Sequence, residues 1–192
     1  MNLEGLVVGF AVTGSFCTLD KAIEQVQALV DAGASVVPIM SEMTSSTDTR
    51  FGSADYFRTQ MQEMSKRTVI SSIKDAEPIG PKKLLDALVI APCTGNTISK
   101  LANGITDTCV AMATKAHLRN NRPVLIAVST NDALGTSARN LGQLLNAKNI
   151  YFVPFRQDAP EGKQNSMVAD FSLTVPALKD ALDGKQLQPV VF

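Results

Sequence analysis

Apolar runs of strand length alternate along this chain with polar turns and with stretches whose apolar residues recur three and four positions apart. Leu6–Val12 (LVVGFAV) predicts a first buried strand, followed by the turn Thr13–Thr18. Ala22, Ile23, Val26, Leu29 and Val30 then mark one face of a helix from Leu19 to Ala32, which Gly33 ends. Ser35–Met40 (SVVPIM) predicts a second strand, and Pro38, which cannot donate to a ladder, places it at the periphery. Ser41–Gly52 is a long hydroxyl-rich loop, a kind that is often functional. A helix over Ala54–Lys66, a short edge strand over Val69–Ile73 and a rigid loop at Glu77–Pro81 follow.

The pattern is clearest in Leu88–Thr108 (LVIAPCTGNTISKLANGITDT). Ala87–Ala91 reads as a central strand that breaks at Pro92, and helical spacing resumes through Ile98, Leu101 and Ala102. Asp107 or Thr108 can cap a helix running to Asn120, with Ala111, Ala113 and Ala116 as a close-packing face. Val124–Val128 and Ile150–Val153 predict the last two strands. Between them Ser137 caps a helix that turns Leu141, Leu144 and Leu145 inward. Arg156–Val168 reads as a polar loop, Thr174 as the cap of a final helix stopped by Gly184, and Gln186–Phe192 as an extended tail. Strand–helix alternation throughout predicts a doubly wound parallel sheet in three αβα layers, with residues 1–192 as one domain.

Composition narrows the function. Lys plus Arg and Asp plus Glu number 18 each, so no net field recruits nucleic acid or anionic membrane. No apolar run reaches the ~20 residues of a spanning helix. The N-terminal stretch lacks the basic start of a secretory signal. Cys17, Cys93 and Cys109 are an odd number without CxxC spacing, which points to reduced thiols in the cytosol. With His117 as the sole histidine, a His-rich metal site is excluded.

Three turns leave the carboxyl ends of the expected central strands: Thr13–Thr18, Pro92–Thr97 and Ser129–Asp132. In an open α/β sheet such turns meet at one crevice. The first precedes a helix N-terminus, which favours a phosphate, and Thr13, Gly14 and Ser15 supply hydroxyls and a close backbone approach. Gly9 and Gly14 do not complete a G-x-G-x-x-G fingerprint, so a nicotinamide dinucleotide is not expected on this chain. Glu42 occupies the ribose-acid position but reads as a loop charge. Cys93 and Cys17 read as packing residues rather than nucleophiles, and Asp132 as a turn cap or substrate-orienting group. Among Arg50, Lys100 and Lys163, Arg50 is the strongest candidate to hold a carboxylate bidentately, because its loop lies near the crevice.

Thr13-Gly14-Ser15, the run Pro92-Cys93-Thr94-Gly95-Asn96-Thr97-Ile98-Ser99-Lys100, and Asn131 resemble the flavoprotein family of cysteine-decarboxylase type. The resemblance covers most of the chain. It implies a Rossmann-like flavoprotein fold, with a flavin-phosphate turn after the first strand. A P-A-S-A-N-T-like motif after the fourth and an Asn-containing turn after the fifth complete the implied site. It also implies FMN held between neighbouring subunits, often of a trimer. The implied cofactor residues are Thr13, Gly14, Ser15, Ser41, Pro92, Thr94, Gly95, Asn96, Thr97, Ser129 and Asn131; Arg50, Asn96 and Asn131 are the candidates for contact with the reacting molecule. The stretches TGSFCT, TRFG, VSTNDALG and NIYFVPFRQDAP resemble a branch of that family in which a companion chain holds NADP and the pair oxidises a dihydropyridine dicarboxylate.

One departure separates the chain from the decarboxylases. They carry a His shortly before the Asp that opens the strand preceding the central motif, here Asp86, where this chain has Glu77-Pro78. His117 lies in a later helix and reads as a packing residue. The implied reading is therefore an oxidoreductase subunit inactive alone; the alternatives are a scaffold with a vestigial anion site and a free-standing FMN-dependent decarboxylase.

Overall fold

The computed structural model describes residues 3–192. In chain order the strands are β1 (Val7–Val12), β2 (Ser35–Met40), β3 (Ala87–Cys93), β4 (Val124–Thr130), β5 (Ile150–Phe152), β6 (Phe155–Gln157) and β7 (Met167–Ala169). The helices are α1 (Leu19–Asp31), α2 (Glu42–Ser46), α3 (Ala54–Ser65), α4 (Ile73–Ala76), α5 (Gly95–Ala102), α6 (Cys109–Leu118), α7 (Ala138–Leu145) and α8 (Thr174–Leu182). The strands form one seven-stranded sheet ordered β2-β1-β3-β4-β7-β6, with β5 also paired to β4. β2, β1, β3, β4 and β5 are parallel, and helices pack on the sheet as the alternation predicts. Among the described residues no helix is long and apolar enough to cross a membrane.

The centre of the sheet explains its own sequence. β3 is buried at all seven positions and β4 at six of seven, so both need continuous apolar runs. β2 lies at the sheet edge, where its Pro38 does no harm. Gly33 and Gly184 take the positive φ that ends α1 and α8.

Several boundaries differ from the sequence reading. Val69–Ile73 is not a strand: only Ile70 bridges to Ile39, and Ile73 opens α4 behind the Ser72 cap. The central motif therefore follows the third strand, not the fourth. β3 does not break at Pro92. The Pro92 carbonyl accepts from the Thr13 amide at 3.2 Å and from Thr13 Oγ1 at 2.7 Å, so pairing continues to Cys93 past a register shift. The expected loop Ser41–Gly52 contains α2, begun by Ser41, whose Oγ accepts from the Thr44 amide.

The largest correction concerns the expected loop Arg156–Val168. Its ends are β6 and β7, an antiparallel pair, so the sheet is mixed rather than wholly parallel. β7 pairs with Ser129 and Thr130, which extends β4 two residues beyond Val128. Ile150–Phe152 is accordingly not the last strand. Leu145 faces outward at 42% exposure, because α7 is only two turns long and buries Leu141 and Leu144. Ser137 does not cap α7 with its side chain, and Thr174 is the first residue of α8 rather than its cap. Ala111, Ala113 and Ala116 are buried inside the chain, so that small face is not available to another copy.

Candidate functional site

Beyond the carboxyl ends of β1, β3 and β4 the turns enclose a cavity of about 790 Å³. The β1 turn contributes Gly14 through Thr18, the β3 turn Thr94 through Asn96, and the end of β4 Ser129 through Asp132. Two more distant segments complete the walls: Arg50 and Phe51 from the α2–α3 connection, and Asp158, Lys163, Ser166 and Val168 from the β6–β7 hairpin.

One end of the cavity is a triangle of hydroxyls. Ser15 Oγ and Ser129 Oγ lie 2.8 Å apart, Thr18 Oγ1 and Ser129 Oγ 2.9 Å, and Thr18 Oγ1 and Ser15 Oγ 3.0 Å. They are brought together from sequence positions more than a hundred residues apart because β1 and β4 flank β3 in a parallel sheet. The triangle stands at the opening of the 3₁₀ turn Phe16–Thr18 that leads into α1, where helix amides and the dipole favour an anion. No carboxylate belongs to the triangle, which suits a phosphate.

The floor is set by a second network. Thr94 Oγ1 caps α5 by accepting from the Thr97 amide at 3.3 Å, and the Thr94 amide donates to Thr13 Oγ1 at 3.0 Å. Asp132 accepts from Thr130 Oγ1 at 2.5 Å and from Ser137 Oγ at 2.9 Å, which fixes the turn bearing Asn131. Gly95 must be glycine here: a Cβ would sit 2.5 Å from Asp132 Oδ1 and 2.7 Å from Thr130 Oγ1. That close approach lets the β3 and β4 turns form one surface.

Of the residues implied for cofactor binding, Gly14, Ser15, Thr94, Gly95, Asn96, Ser129 and Asn131 line the cavity, as does Arg50. Thr13, Ser41, Pro92 and Thr97 do not line it; Thr13, Pro92 and Thr97 act beneath the surface, holding turns in place, and Ser41 starts α2. Phe16, Thr18 and Thr130 lie in turns expected at the crevice but were not singled out; Cys17, expected to pack, is exposed and lines the cavity, and Phe51, Asp158, Ser166 and Val168 were missed as lining residues. Thr18 carried a signal, a hydroxyl within the first turn. Ser166 and Val168 carried none, because only the β7–β4 pairing brings them to the cavity.

The other candidates have structural work. Lys100 pairs with Asp107 at 2.5 Å, outside the cavity, and holds the Asp107 carboxyl below its usual range. Glu42 Oε1 accepts from the Cys109 amide at 2.7 Å and so caps α6. Cys93 is fully buried and burial raises its thiol pKa, which removes it as a nucleophile. Burial, then Glu42 and Asp75, push the Cys109 thiol up to about 12. His117 is buried, with Nε2 donating to the Pro123 carbonyl at 3.0 Å and Nδ1 without a partner. Desolvation, opposed by that hydrogen bond, lowers its pKa to about 4, and it does not reach the cavity.

The profile of the Flavoprotein family matches residues 1–169. The B-subunit of dipicolinate synthase from Bacillus subtilis (strain 168) is 47% identical over 190 residues, covering 99% of this chain and 95% of that protein. The chain belongs to the flavoprotein family, and within it to the dipicolinate synthase B-subunits. The crystal structure of the B-subunit from Bacillus halodurans superposes with a TM-score of 0.92 at 44% identity, over 100% of this chain and 98% of that one. The FMN-dependent cysteine decarboxylase SpaF shares the fold alone, at a TM-score of 0.62 and 20% identity over 95% of this chain and 98% of its own. The residues of the cavity fit a flavin nucleotide in kind. Neutral hydroxyl donors gather at a helix start, neutral amides Asn96 and Asn131 stand farther along, and the volume lies in the range of small-molecule sites.

Proposed function

We propose that this chain is the FMN-binding component of a dipicolinate synthase. It acts with the A-subunit of that enzyme, which holds NADP, and together they oxidise dihydrodipicolinate to dipicolinate in the mother-cell cytoplasm of a sporulating bacterium. In this reading residues 1–192 form one flavoprotein unit that assembles as a trimer-based homo-oligomer. The observation that carries it is the convergence of Ser15, Thr18 and Ser129 at one end of a cavity whose other walls bear Arg50 and Lys163. Family membership supports the same assignment.

The division of labour follows from the side chains present. The hydroxyl triangle would hold the flavin phosphate, and Asn96 and Asn131 would meet the ring edge with neutral hydrogen bonds. Bound flavin supplies redox chemistry that no side chain of the cavity can. Arg50 would orient a substrate carboxylate. Asp132 is committed to Thr130 and Ser137, Asp158 is paired with Lys163, and His117 lies outside the cavity, so this chain offers no evident general base for decarboxylation. Orientation, rather than proton transfer, is its contribution.

The test has two parts. FMN added to purified protein should give a perturbed flavin spectrum at stoichiometric saturation. Dipicolinate, followed by ultraviolet absorbance, should form with both proteins present and not with either alone. Replacing Arg50 by Ala should then weaken substrate use by about 1.5–3 kcal/mol. Full activity of the NADP-holding partner alone would leave this chain as a scaffold, and full activity of this chain alone would overturn the two-component scheme. Light scattering should return three times the 20.5 kDa chain mass or a multiple of that; a monomer would refute the assembly.

A further inference from the structure

The cavity is lined by two cations and two carboxylates, and the four are not equivalent. Asp132 is bound on both oxygens by its own turn. Asp158 instead pairs with Lys163 at 3.7 Å, with the lysine side chain 61% exposed. That separation exceeds a good charge-assisted hydrogen bond, and exposed pairs of this kind contribute little. An incoming carboxylate at contact distance would outcompete it.

Both cations stand on backbone that is tied down. The Lys163 amide donates to Ala159 O at 2.6 Å, and its own carbonyl accepts from the Ser166 amide at 3.0 Å. Gln157 Nε2 donates to Gln164 O at 2.7 Å across the hairpin, and the Leu134 amide donates to Asn165 O at 3.1 Å, joining the tip to the β4 turn. Arg50 sits in a turn closed by two bonds between Thr49 and Gly52, at 3.0 and 3.1 Å, and its guanidinium lies 4.8 Å from the Phe51 ring centre. Gly52 permits this turn, since a Cβ there would meet the Phe57 ring at 2.9 Å. Arg50 follows β2 at one edge of the sheet and Lys163 joins β6 to β7 at the other, so they approach the cavity from opposite sides.

We propose that Arg50 and Lys163 form a two-point cationic clamp for a flat dicarboxylate, with Asp158 as the resident counter-ion that Lys163 leaves when the second carboxylate arrives. The clamp rests on the reading that this cavity handles a pyridine dicarboxylate, and it assigns selectivity to the hairpin. A monocarboxylate satisfies one cation and leaves the Asp158–Lys163 pair closed. A dicarboxylate engages both.

Calorimetric titration of the full chain, saturated with FMN, tests this with pyridine-2,6-dicarboxylate and pyridine-2-carboxylate as probes. Wild-type protein should prefer the dicarboxylate, and Lys163→Met should cut that preference by about tenfold or more. Asp158→Asn should tighten dicarboxylate binding several-fold, a gain that misfolding cannot produce. That gain should vanish in the Asp158→Asn, Lys163→Met double variant. An unchanged preference in Lys163→Met, or a gain that survives in the double variant, would overturn the clamp. The titration needs neither the partner protein nor turnover. Absent dipicolinate formation with a normal titration would strike the functional reading and leave the clamp standing; the reverse result would strike the clamp alone.

Discussion

The parallel strands β1, β3 and β4 and the antiparallel pair β6–β7 both wall the cavity, yet they are held by different forces. β3 and β4 are buried on both faces, and their order comes from hydrophobic burial that extends through the whole domain core. β6 and β7 have three residues each, with Arg156 and Gln157 exposed, and their connection is ordered by hydrogen bonds such as Lys163 to Ala159 and Gln157 to Gln164 rather than by apolar burial. The first region can hold a constant group, such as a phosphate, in fixed geometry. The second is cheap to alter and can discriminate between substrates. A buried sheet that positions and a surface loop that selects is a common division in α/β proteins.

The sharpest way to break this comparison is to remove core volume. Ile126→Ala, at a fully buried position of β4, should destabilise the protein by about 2–5 kcal/mol in urea unfolding. A value below about 1 kcal/mol would mean that the centre of the sheet is not the main source of stability.

His117 tests the core through pH. Its folded pKa is lowered from 6.5 to about 4, so the unfolded chain takes up the proton first. Stability present above pH 6.5 should fall as pH drops from 6.5 toward 4, and His117 should add no further loss below that. The loss attributable to it is about 3 kcal/mol at most. His117→Gln keeps a donor for the Pro123 carbonyl and should flatten this part of the stability–pH curve. An unchanged slope would show that His117 titrates normally.

Gly95→Ala probes the seam between the β3 and β4 turns. The added Cβ displaces Asp132 or Thr130, at a cost of about 1–3 kcal/mol, and should weaken FMN binding as read from the flavin spectrum. Flavin affinity equal to wild type would detach the seam from the cofactor site.

The smallest effect is expected in the hairpin. Gln157→Ala removes the bond to Gln164 O and should cost about 0.5–1.5 kcal/mol. Amide exchange should accelerate over residues 155–169 while Val124–Val128 stay protected. Uniform acceleration would mean that the two regions unfold as one.

Much of this architecture was legible in the residues. The apolar runs of β1, β2, β3 and β4 are long and bounded by Gly, Pro or hydroxyl clusters, and both faces of the central strands demand such runs. Pro38 marked the edge. The turns after β1, β3 and β4 advertised their chemistry because Gly14, Gly95 and the neighbouring hydroxyls are local signals. Three-residue strands such as β6 and β7 leave no periodicity to detect, and their existence depends on pairing with Ser129 and Thr130. Likewise, nothing near Lys163 in the chain announces that Arg50 stands across the same cavity. Nor does Thr13 reveal that its hydroxyl works beneath the site, on the Pro92 carbonyl, rather than in it. The sequence by itself determined the parallel strands β1 to β4 and the hydroxyl-rich turns at their ends, since burial and turn geometry act over a few residues. Only the tertiary structure decided which side chains face one another across the cavity, because that depends on strand order, which brings together positions as distant in the chain as Ser15 and Ser129.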